Sequence, residues 1–421
     1  MRVLIIGGGL AGLALAQRLV AERIDVSVFE RNASTSDGLA GYGIYIDRNG
    51  QQALQTCLPR SIYDEFDREA GHTDLRIQFS DERLGCLAKY DAAKSTGSHE
   101  PAVLRRSISR LELREILQHG LDGQGGVIHW EKEFRSYDMP KGDGPIRVHF
   151  ADGTYAEGDV LIGADASNSR VRTQYLPNFN RLDLGIANIV GRTPLTPELR
   201  SRLPSHLTDG SINNVIPPFQ GWMFLSAWRQ TNAKATSHSG DYLVWAYACA
   251  RAGFSADLEK QSGNKLCDVV LNRIAKWSPY LHTVVSASDM NTVAAVPLRT
   301  MPQLPDWQPT RVTLVGDAIH NMTPMAGIGA NTALRDAAIL SGQLLDSNSG
   351  RRSLVEAIGQ YERQMRGYAS AAVELSRMNA ERAASGGLVG RYMFRTMLRV
   401  AEAIPPFKRR MFASMSKKYD H

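Results

Sequence analysis

Short all-apolar runs that end in glycine alternate along the chain with stretches of helical or two-residue periodicity. Val3, Leu4, Ile5 and Ile6 form an uninterrupted apolar run, as a parallel strand buried on both faces does. Gly7, Gly8, Gly9, Leu10, Ala11 and Gly12 follow in GxGxxG order, and residues 13–21 read as a helix. A second apolar strand, Val26, Ser27, Val28 and Phe29, ends at Glu30. Two further apolar runs, at 160–162 and 312–315, also lead into glycine-bearing turns. Between about residues 180 and 291 the pattern changes to alternating, aromatic-rich segments. WMFLSAW at 222–228 and YLVWAY at 242–247 read as sheet strands, preceded by the turns Gln220-Gly221 and Gly240-Asp241. Beyond residue 351, apolar stretches holding Leu388, Tyr392, Leu398, Phe407, Met411 and Met415 recur at helical spacing, broken at Pro405-Pro406.

The first glycine-rich turn has the order a dinucleotide requires. Gly7 permits the tight turn, Gly9 lets backbone approach a pyrophosphate, and Gly12 allows helix to pack on strand. Leu10 and Ala11 lie in this cofactor-binding turn, and the helix start that follows offers unpaired N–H groups and about half a positive charge to phosphates. Glu30, with Arg31 beside it, closes the second strand where an acid accepts hydrogen bonds from a ribose 2′-hydroxyl. An acid there favours a cofactor without a 2′-phosphate, NAD or FAD. A signal peptide would explain the same hydropathy, but the basic leader is missing and glycines interrupt the apolar run. Ligands of open α/β sheets bind beyond the carboxyl ends of strands. The turns after 162 and 315 stand there too, and a longer, bent cofactor would use all three.

With those segments in view the chain resembles the single-component flavoprotein aromatic hydroxylases, FAD-dependent monooxygenases that include tetracycline-inactivating relatives. The resemblance covers residues 1 to about 350. It rests on GxGxxG, on Gly163-Ala164-Asp165, and on Gly316, Asp317, Ala318, His320, Pro324, Gly327, Gly329 and Asn331 in GDAxHxxxPxxGxGxN. It implies that Asp317 holds the ribityl chain and that the loop from Pro324 to Gly329 lies beside the isoalloxazine. A helix starting near Ala330 and Asn331 would point its N-terminus at the flavin pyrimidine, where reduced flavin is negative. Asp165 is a cofactor residue by the same token. Ala166 replaces a second family glycine, and an alanine fits if φ there is negative. The family's arginine-bearing helix maps the pyrophosphate contact to Arg110, with Arg105, Arg106 and Arg114 competing for that assignment or else forming a solvated helix face. Gly41, Tyr42 and Gly43 resemble the stretch that passes over the flavin, and Gly43 would let backbone approach the ring. Arg48 stands where it reaches flavin or substrate, or else faces solvent. His320 is read as loop structure.

The resemblance therefore implies an α/β fold: a GxGxxG-type FAD-binding Rossmann-like domain from residues 1–75, 100–178 and 290–350. An inserted, mostly antiparallel β-sheet substrate domain (76–99 and 179–289) and a C-terminal helical segment (351–421) complete it. In the inserted sheet the aromatics serve as core or stack on a flat substrate. Arg192 is a candidate anchor for an anionic or phenolic oxygen, with a structural salt bridge as the alternative.

Charge and composition narrow the partners. The chain has 421 residues with 49 Lys+Arg and 43 Asp+Glu, a formal net charge of +6. Residues 351–421 hold 14 basic and 6 acidic groups, an excess of +8, which leaves 35 against 37, or −2, for the other 350. The body is near neutral, and no nucleic-acid module accompanies the basic tail. Arg391, Arg395 and Arg399 fall every fourth residue as one stripe. This suits a helix packed on the flavin domain with its charged side in water, or one lying on an anionic membrane. Cys57, Cys86, Cys249 and Cys267 form no CxxC or Cys/His cluster, so buried free thiols in a reducing, cytoplasmic setting are expected and a metal is not.

The expected reaction is hydroxylation of an aromatic or polycyclic small molecule through a flavin C4a-hydroperoxide, with NADPH or NADH visiting transiently to reduce FAD. Pro324, Arg192 and Arg48 stand near the chemistry, and no side-chain base is located. The same fold also supports epoxidation, dearomatisation, Baeyer–Villiger-type oxidation or antibiotic inactivation. A halogenase is disfavoured by the lack of a WxWxIP-like segment. A non-catalytic flavin-binding protein is the alternative from another class.

Overall fold

The structure, a computed structural model, describes residues 1–34, 43–73, 75–91, 105–122, 126–140, 142, 144–228, 240–384 and 387–419, with side chains up to residue 412. Gly41 and Tyr42 lie outside the described residues. The chain divides into two compact units. The first comprises residues 1–71, 106–182 and 299–377, the second 72–105, 183–298 and 378–421.

The first unit is built on a five-stranded parallel sheet ordered Val312–Leu314, Val160–Gly163, Arg2–Ile6, Asp25–Phe29, Ile128–His129. Val3, Leu4, Ile5, Leu161 and Ile162 are completely buried, which explains why these strands read as continuous apolar runs rather than alternating ones. Helix Leu10–Ala21 packs on Gly329–Asn348, which in turn carries Arg48–Cys57. Leu13, Leu15 and Leu19 anchor the first of these, each contributing about 1.5–3 kcal/mol through burial. An antiparallel pair, Gly43–Ile46 with residues 106–109, and a three-stranded meander at 134–158 complete the unit.

The second unit holds a seven-stranded sheet ordered Ala294–Thr300, Leu182–Pro194, Tyr242–Ala250, Trp222–Trp228, Ile212–Val215, Arg76–Ser80, Cys86–Asp91. From Leu182–Pro194 through to Cys86–Asp91 the pairings are antiparallel apart from Ile212–Val215 on Arg76–Ser80. Period-two alternation sorts its side chains. Met223, Leu225, Leu243, Trp245 and Tyr247 pack with helices Gly263–Arg273 and Pro279–Ser286 in one core. Phe79 and Trp222 meet Phe394, Leu398 and Phe412 of the C-terminal helices in another.

The C-terminal helices run Leu388–Ala403 and Pro405–Tyr419. Extended backbone at Ile404 separates them, as proline demands of the residue before it. Their orientation differs from the expected one. Helix Leu388–Ala403 belongs to the second unit and turns its arginines inward, Arg391 being 4% and Arg395 7% exposed. Arg391 donates to the carbonyls of Gly221 (2.8 Å) and Ala383 (2.6 Å), and Arg395 to Glu82 Oε2 (2.9 Å). Acceptors from the turns at Glu82 and Gly221 and from the end of helix Leu354–Ala384 decide the face, because a buried guanidinium that finds carbonyls and carboxylates is tolerated. Among the cysteines, Cys86 is exposed, against the expectation that all four are buried. Among the described residues no helix is long and apolar enough to cross a membrane.

Candidate cofactor site

Three adjacent parallel strands end side by side, and each hands over to one of the glycine-bearing turns. Backbone bonds bind these exits together: Gly7 N donates to Phe29 O, Ala164 N to Ile6 O and Val315 N to Gly163 O. In the first turn Gly7 has φ +109°, and a Cβ there would fall 2.3 Å from the Ala164 oxygen. A Cβ on Gly12 would fall 2.2 Å from the Gly7 oxygen. Nothing lies within 4 Å of a Cβ on Gly9. Two glycines thus serve packing, and the one expected to admit a ligand opens onto space. Gly9 caps helix Leu10–Ala21 without a side-chain bond, so the first amides, from Leu10 and Ala11 on, remain for an anion.

Glu30, the expected ribose contact, is buried and engaged within the chain. Its Oε2 accepts from Gly8 N (2.9 Å) and Arg114 Nη2 (3.2 Å), and its Oε1 from Asn32 N (3.0 Å). Arg114 also donates to Gly8 O (2.7 Å) and is buried. Arg114 and Arg106, which donates to Asp67 and Ala70 O, are therefore not a solvated face. Arg110 and Arg31 are exposed, and Ser109 with Glu112 forms a capping box that starts the helix at Arg110. The i,i+4 spacing from Arg110 puts Arg114 one turn along, and the sequence carried no sign of which arginine the loop would take.

At the second turn Asp165 Oδ2 accepts from Arg170 N (2.8 Å) and Val171 N (3.2 Å). Its Oδ1 is buried and has no partner among the described residues, and burial pushes its pKa up. Ala166 has φ +62°, so the expected negative φ does not hold and an alanine occupies a left-handed position.

The third turn is held from below. Asp336, fully buried, accepts at Oδ2 from Gly316 N and His320 Nε2 (both 2.6 Å) and at Oδ1 from the Tyr368 hydroxyl (2.6 Å). Burial lowers the His320 pKa, but the charge of Asp336 and its hydrogen bond outweigh that and leave it raised. His320 is fully buried within this turn, with Asp336 as its partner. Gly316 has φ +62°, and Asp317, half-buried, opens the short helix Asp317–His320. Thr323 is pinned to Ser376, whose hydroxyl donates to Thr323 O (2.5 Å). Pro324 and Gly327 are exposed beyond that anchor, and Gly329 and Ala330 begin helix Gly329–Asn348, which has no side-chain cap. Asn331 ties segments instead, donating to Tyr45 O (2.9 Å) and accepting from Asp47 N (3.1 Å). A Cβ on Gly50 would fall 2.1 Å from Asn331 Oδ1. Gly43 begins its strand half-buried, and Arg48 is exposed at the start of helix Arg48–Cys57.

In the second unit, Arg192 lies 3.8 Å over the Tyr242 ring and is half-buried. Cross-strand register groups it with Val244 and Ser226, and groups Val190 with Ala246 and Phe224. This face is opposite the core of Trp245 and Tyr247, so those two aromatics are core and Phe224, Trp228 and Tyr242 are not in that cluster. Asn188, on the same face as Arg192, is buried with its Oδ1 unpartnered among the described residues. Sequence reasoning passed over it, although a polar residue inside Ile186, Ala187, Ile189 and Val190 is an identifiable signal.

The FAD binding domain family profile matches residues 1–376. The chain belongs to that family. A candidate FAD-containing monooxygenase from Photorhabdus luminescens subsp. laumondii shares 42% identity over 91% of this chain and 98% of its own, with a TM-score of 0.82. The dual O-methyltransferase/FAD-dependent monooxygenase CTB3 of Cercospora beticola is 27% identical over 90% of this chain and 46% of its own. The chain thus spans about half the length of the first curated relatives it matches. The 6-hydroxynicotinate 3-monooxygenase of Bordetella bronchiseptica is 26% identical over 81% of this chain and 82% of its own. Klebsiella pneumoniae HpxO, solved with FAD and uric acid, has the same fold at 20% identity, with a TM-score of 0.78 over 100% of this chain and 96% of its own.

Family membership makes FAD the cofactor, and the residues present fit it. A Cβ on Gly9 would meet only open space, Asp165 presents a buried oxygen without a partner among the described residues, and two helix starts lack side-chain caps.

Proposed function

We propose that the chain is an FAD-dependent monooxygenase that uses NADPH or NADH and O2 to hydroxylate a small aromatic or polycyclic compound in the cytoplasm. The observation that carries this is the meeting of three glycine-bearing turns at the ends of adjacent strands, in a chain whose relatives are FAD-dependent monooxygenases. FAD supplies the oxygen-activating chemistry when bound. The chain's own residues bind and orient it. The amides at Leu10 and Ala11 take its pyrophosphate, with Arg110 and Arg31 as further cations in solvent reach. Glu30 holds the ribose edge through the Gly8–Arg114 frame, and Asp165 and Asp317 accept from its hydroxyls. Pro324, Gly327 and Gly329 shape the surface against its ring, and the helix starting at Gly329 favours negative charge there. On the substrate side, Arg192 and Asn188 present polar atoms beside Phe224 and Trp228, a flat apolar setting with few hydrogen-bonding groups.

The test is the purified protein itself. It should be yellow with FAD, and an aromatic ligand drawn from phenols, indoles and polyketides should speed NAD(P)H consumption and gain one oxygen by mass. A protein that neither carries FAD nor can be reconstituted with it sinks the reading. Flavin binding without ligand-stimulated turnover would leave a non-catalytic flavoprotein. Product mass and regiochemistry separate hydroxylation from epoxidation, dearomatisation, Baeyer–Villiger oxidation and antibiotic inactivation.

A further inference from the structure

Helix Leu388–Ala403 buries two arginines together with Leu398 and Ala401 and leaves a row of apolar side chains outside. Its arginines Arg391 and Arg395 are buried in the second unit, while Val389 and Met393 are 74% and 68% exposed. Tyr392, Met397, Val400, Ile404 and Phe407 continue the exposed apolar line at spacings of three to five residues, across the break and into the last helix. Leu388, Val389, Tyr392, Met393 and Thr396 line a shallow concavity on it. A continuous apolar surface of this kind is costly in water and marks an interaction face.

Charge selects the occupant. Arg409 and Arg410 are exposed just past Phe407, and Arg399, 58% exposed beside the apolar line, has its guanidinium 3.9 Å from the Asp81 carboxylate. The sequence continues with Lys417 and Lys418. Between residues 387 and 412 the one acid is Glu402, and it is engaged by Lys408 Nζ (2.8 Å) and Lys89 N (2.9 Å). A second copy docked symmetrically through this face would bring like cations together. An apolar stripe flanked by cations instead matches a bilayer with anionic headgroups, whose acyl boundary takes the stripe and whose charge takes the arginines. We propose that the C-terminal helices dock this protein peripherally on an anionic membrane surface, Val389, Met393, Val400 and Phe407 entering the interface. The inference goes beyond the reaction and holds for any oxygenation the enzyme performs.

The full-length, FAD-loaded protein is sedimented with phosphatidylcholine vesicles, with and without about 30% phosphatidylglycerol. The anionic vesicles should bind at least about tenfold more protein, and binding should weaken severalfold in about 0.5 M salt. Val389→Glu combined with Met393→Glu should lower the bound fraction about tenfold or more, and Arg409→Glu with Arg410→Glu about as much, both with normal FAD content. These side chains are exposed and outside the cofactor site, so flavin absorbance and the unfolding midpoint report whether a variant has folded. Wild-type protein left in the supernatant with anionic vesicles overturns the proposal, as does equal binding to neutral ones. A wild-type dimer that the Val389/Met393 double variant converts to monomer overturns it in favour of a second copy.

Discussion

Asp336 is the residue on which the third turn depends. Its two oxygens take three hydrogen bonds of 2.6 Å, one each from Gly316 N, His320 and Tyr368, with no exposure to water. Asn at this position keeps the shape but turns an acceptor into a donor facing other donors. Asp336→Asn should therefore destabilise the protein by about 3 kcal/mol and weaken FAD binding, since Gly316 precedes Asp317 directly. Tyr368→Phe removes one bond to a charged acceptor and should cost about 1.5–3 kcal/mol. Denaturant unfolding with an FAD titration checks both, and a wild-type midpoint for Asp336→Asn would contradict the network. Ala166 supplies a change in the other direction. Its φ of +62° is strained for alanine, so Ala166→Gly should be neutral or stabilising by up to about 1 kcal/mol. At this scale the glycines were legible, because a missing Cβ leaves a mark in sequence. Asp336 and Arg114 were not, because their importance lies in partners up to 106 residues away, as between Arg114 and Gly8.

Between elements, strand Val312–Leu314 is tied to the long helix Leu354–Ala384 through Glu362. The carboxylate accepts from Thr313 Oγ1 (2.9 Å), its other oxygen is buried without a partner among the described residues, and burial raises its pKa to about 7 from an ordinary 4.5. The folded state therefore holds this proton through a range where the unfolded chain has released it. Its stabilising contribution is complete below about pH 4.5 and is lost as pH rises through about 7. Glu362→Gln should remove the decline, gaining up to about 3 kcal/mol on wild type at pH 8 relative to pH 4. Parallel stability–pH curves for the two proteins would refute this. The arginine helix offers a second separation. Arg114 is buried against Glu30, so Arg114→Met should cost about 3–5 kcal/mol by leaving a buried charge unpaired. Arg110 is exposed, so Arg110→Ala should raise the FAD dissociation constant and move the midpoint of FAD-free protein by less than about 0.5 kcal/mol. If Arg110→Ala leaves FAD affinity unchanged, the pyrophosphate role fails. Element type was readable wherever the period was clean, as in the buried strands and in Trp222–Trp228 and Tyr242–Ala250. The facing of helix Leu388–Ala403 was not, because a hydropathy pattern assumes that apolar means inward. Here Glu82 and the carbonyls of Gly221 and Ala383 drew the arginines in instead.

For the whole molecule, the charge separates from the chemistry: the excess of +8 after residue 350 lies apart from turns at residues 7–12, 163–169 and 316–329. Those turns are about 150 residues apart in sequence and neighbours in space only because their strands pair in parallel. A ligand that touches all three joins distant parts of one chain, and one that binds only the folded form stabilises it by mass action. FAD at one hundred times its dissociation constant should add about 2.7 kcal/mol, so the unfolding midpoint should climb with the logarithm of FAD concentration. Asp317 separates binding from folding. Its carboxylate is half-buried, whereas the neighbouring Gly316 and His320 carry the contacts to Asp336. Asp317→Ala should therefore leave the FAD-free midpoint within about 0.5 kcal/mol of wild type while cutting the FAD-dependent rise. If the FAD-free protein falls as far as the loaded one, Asp317 holds the turn rather than the cofactor. The third glycine-rich segment would then be part of the scaffold, leaving Glu30 and Asp165 as the acids that meet the cofactor.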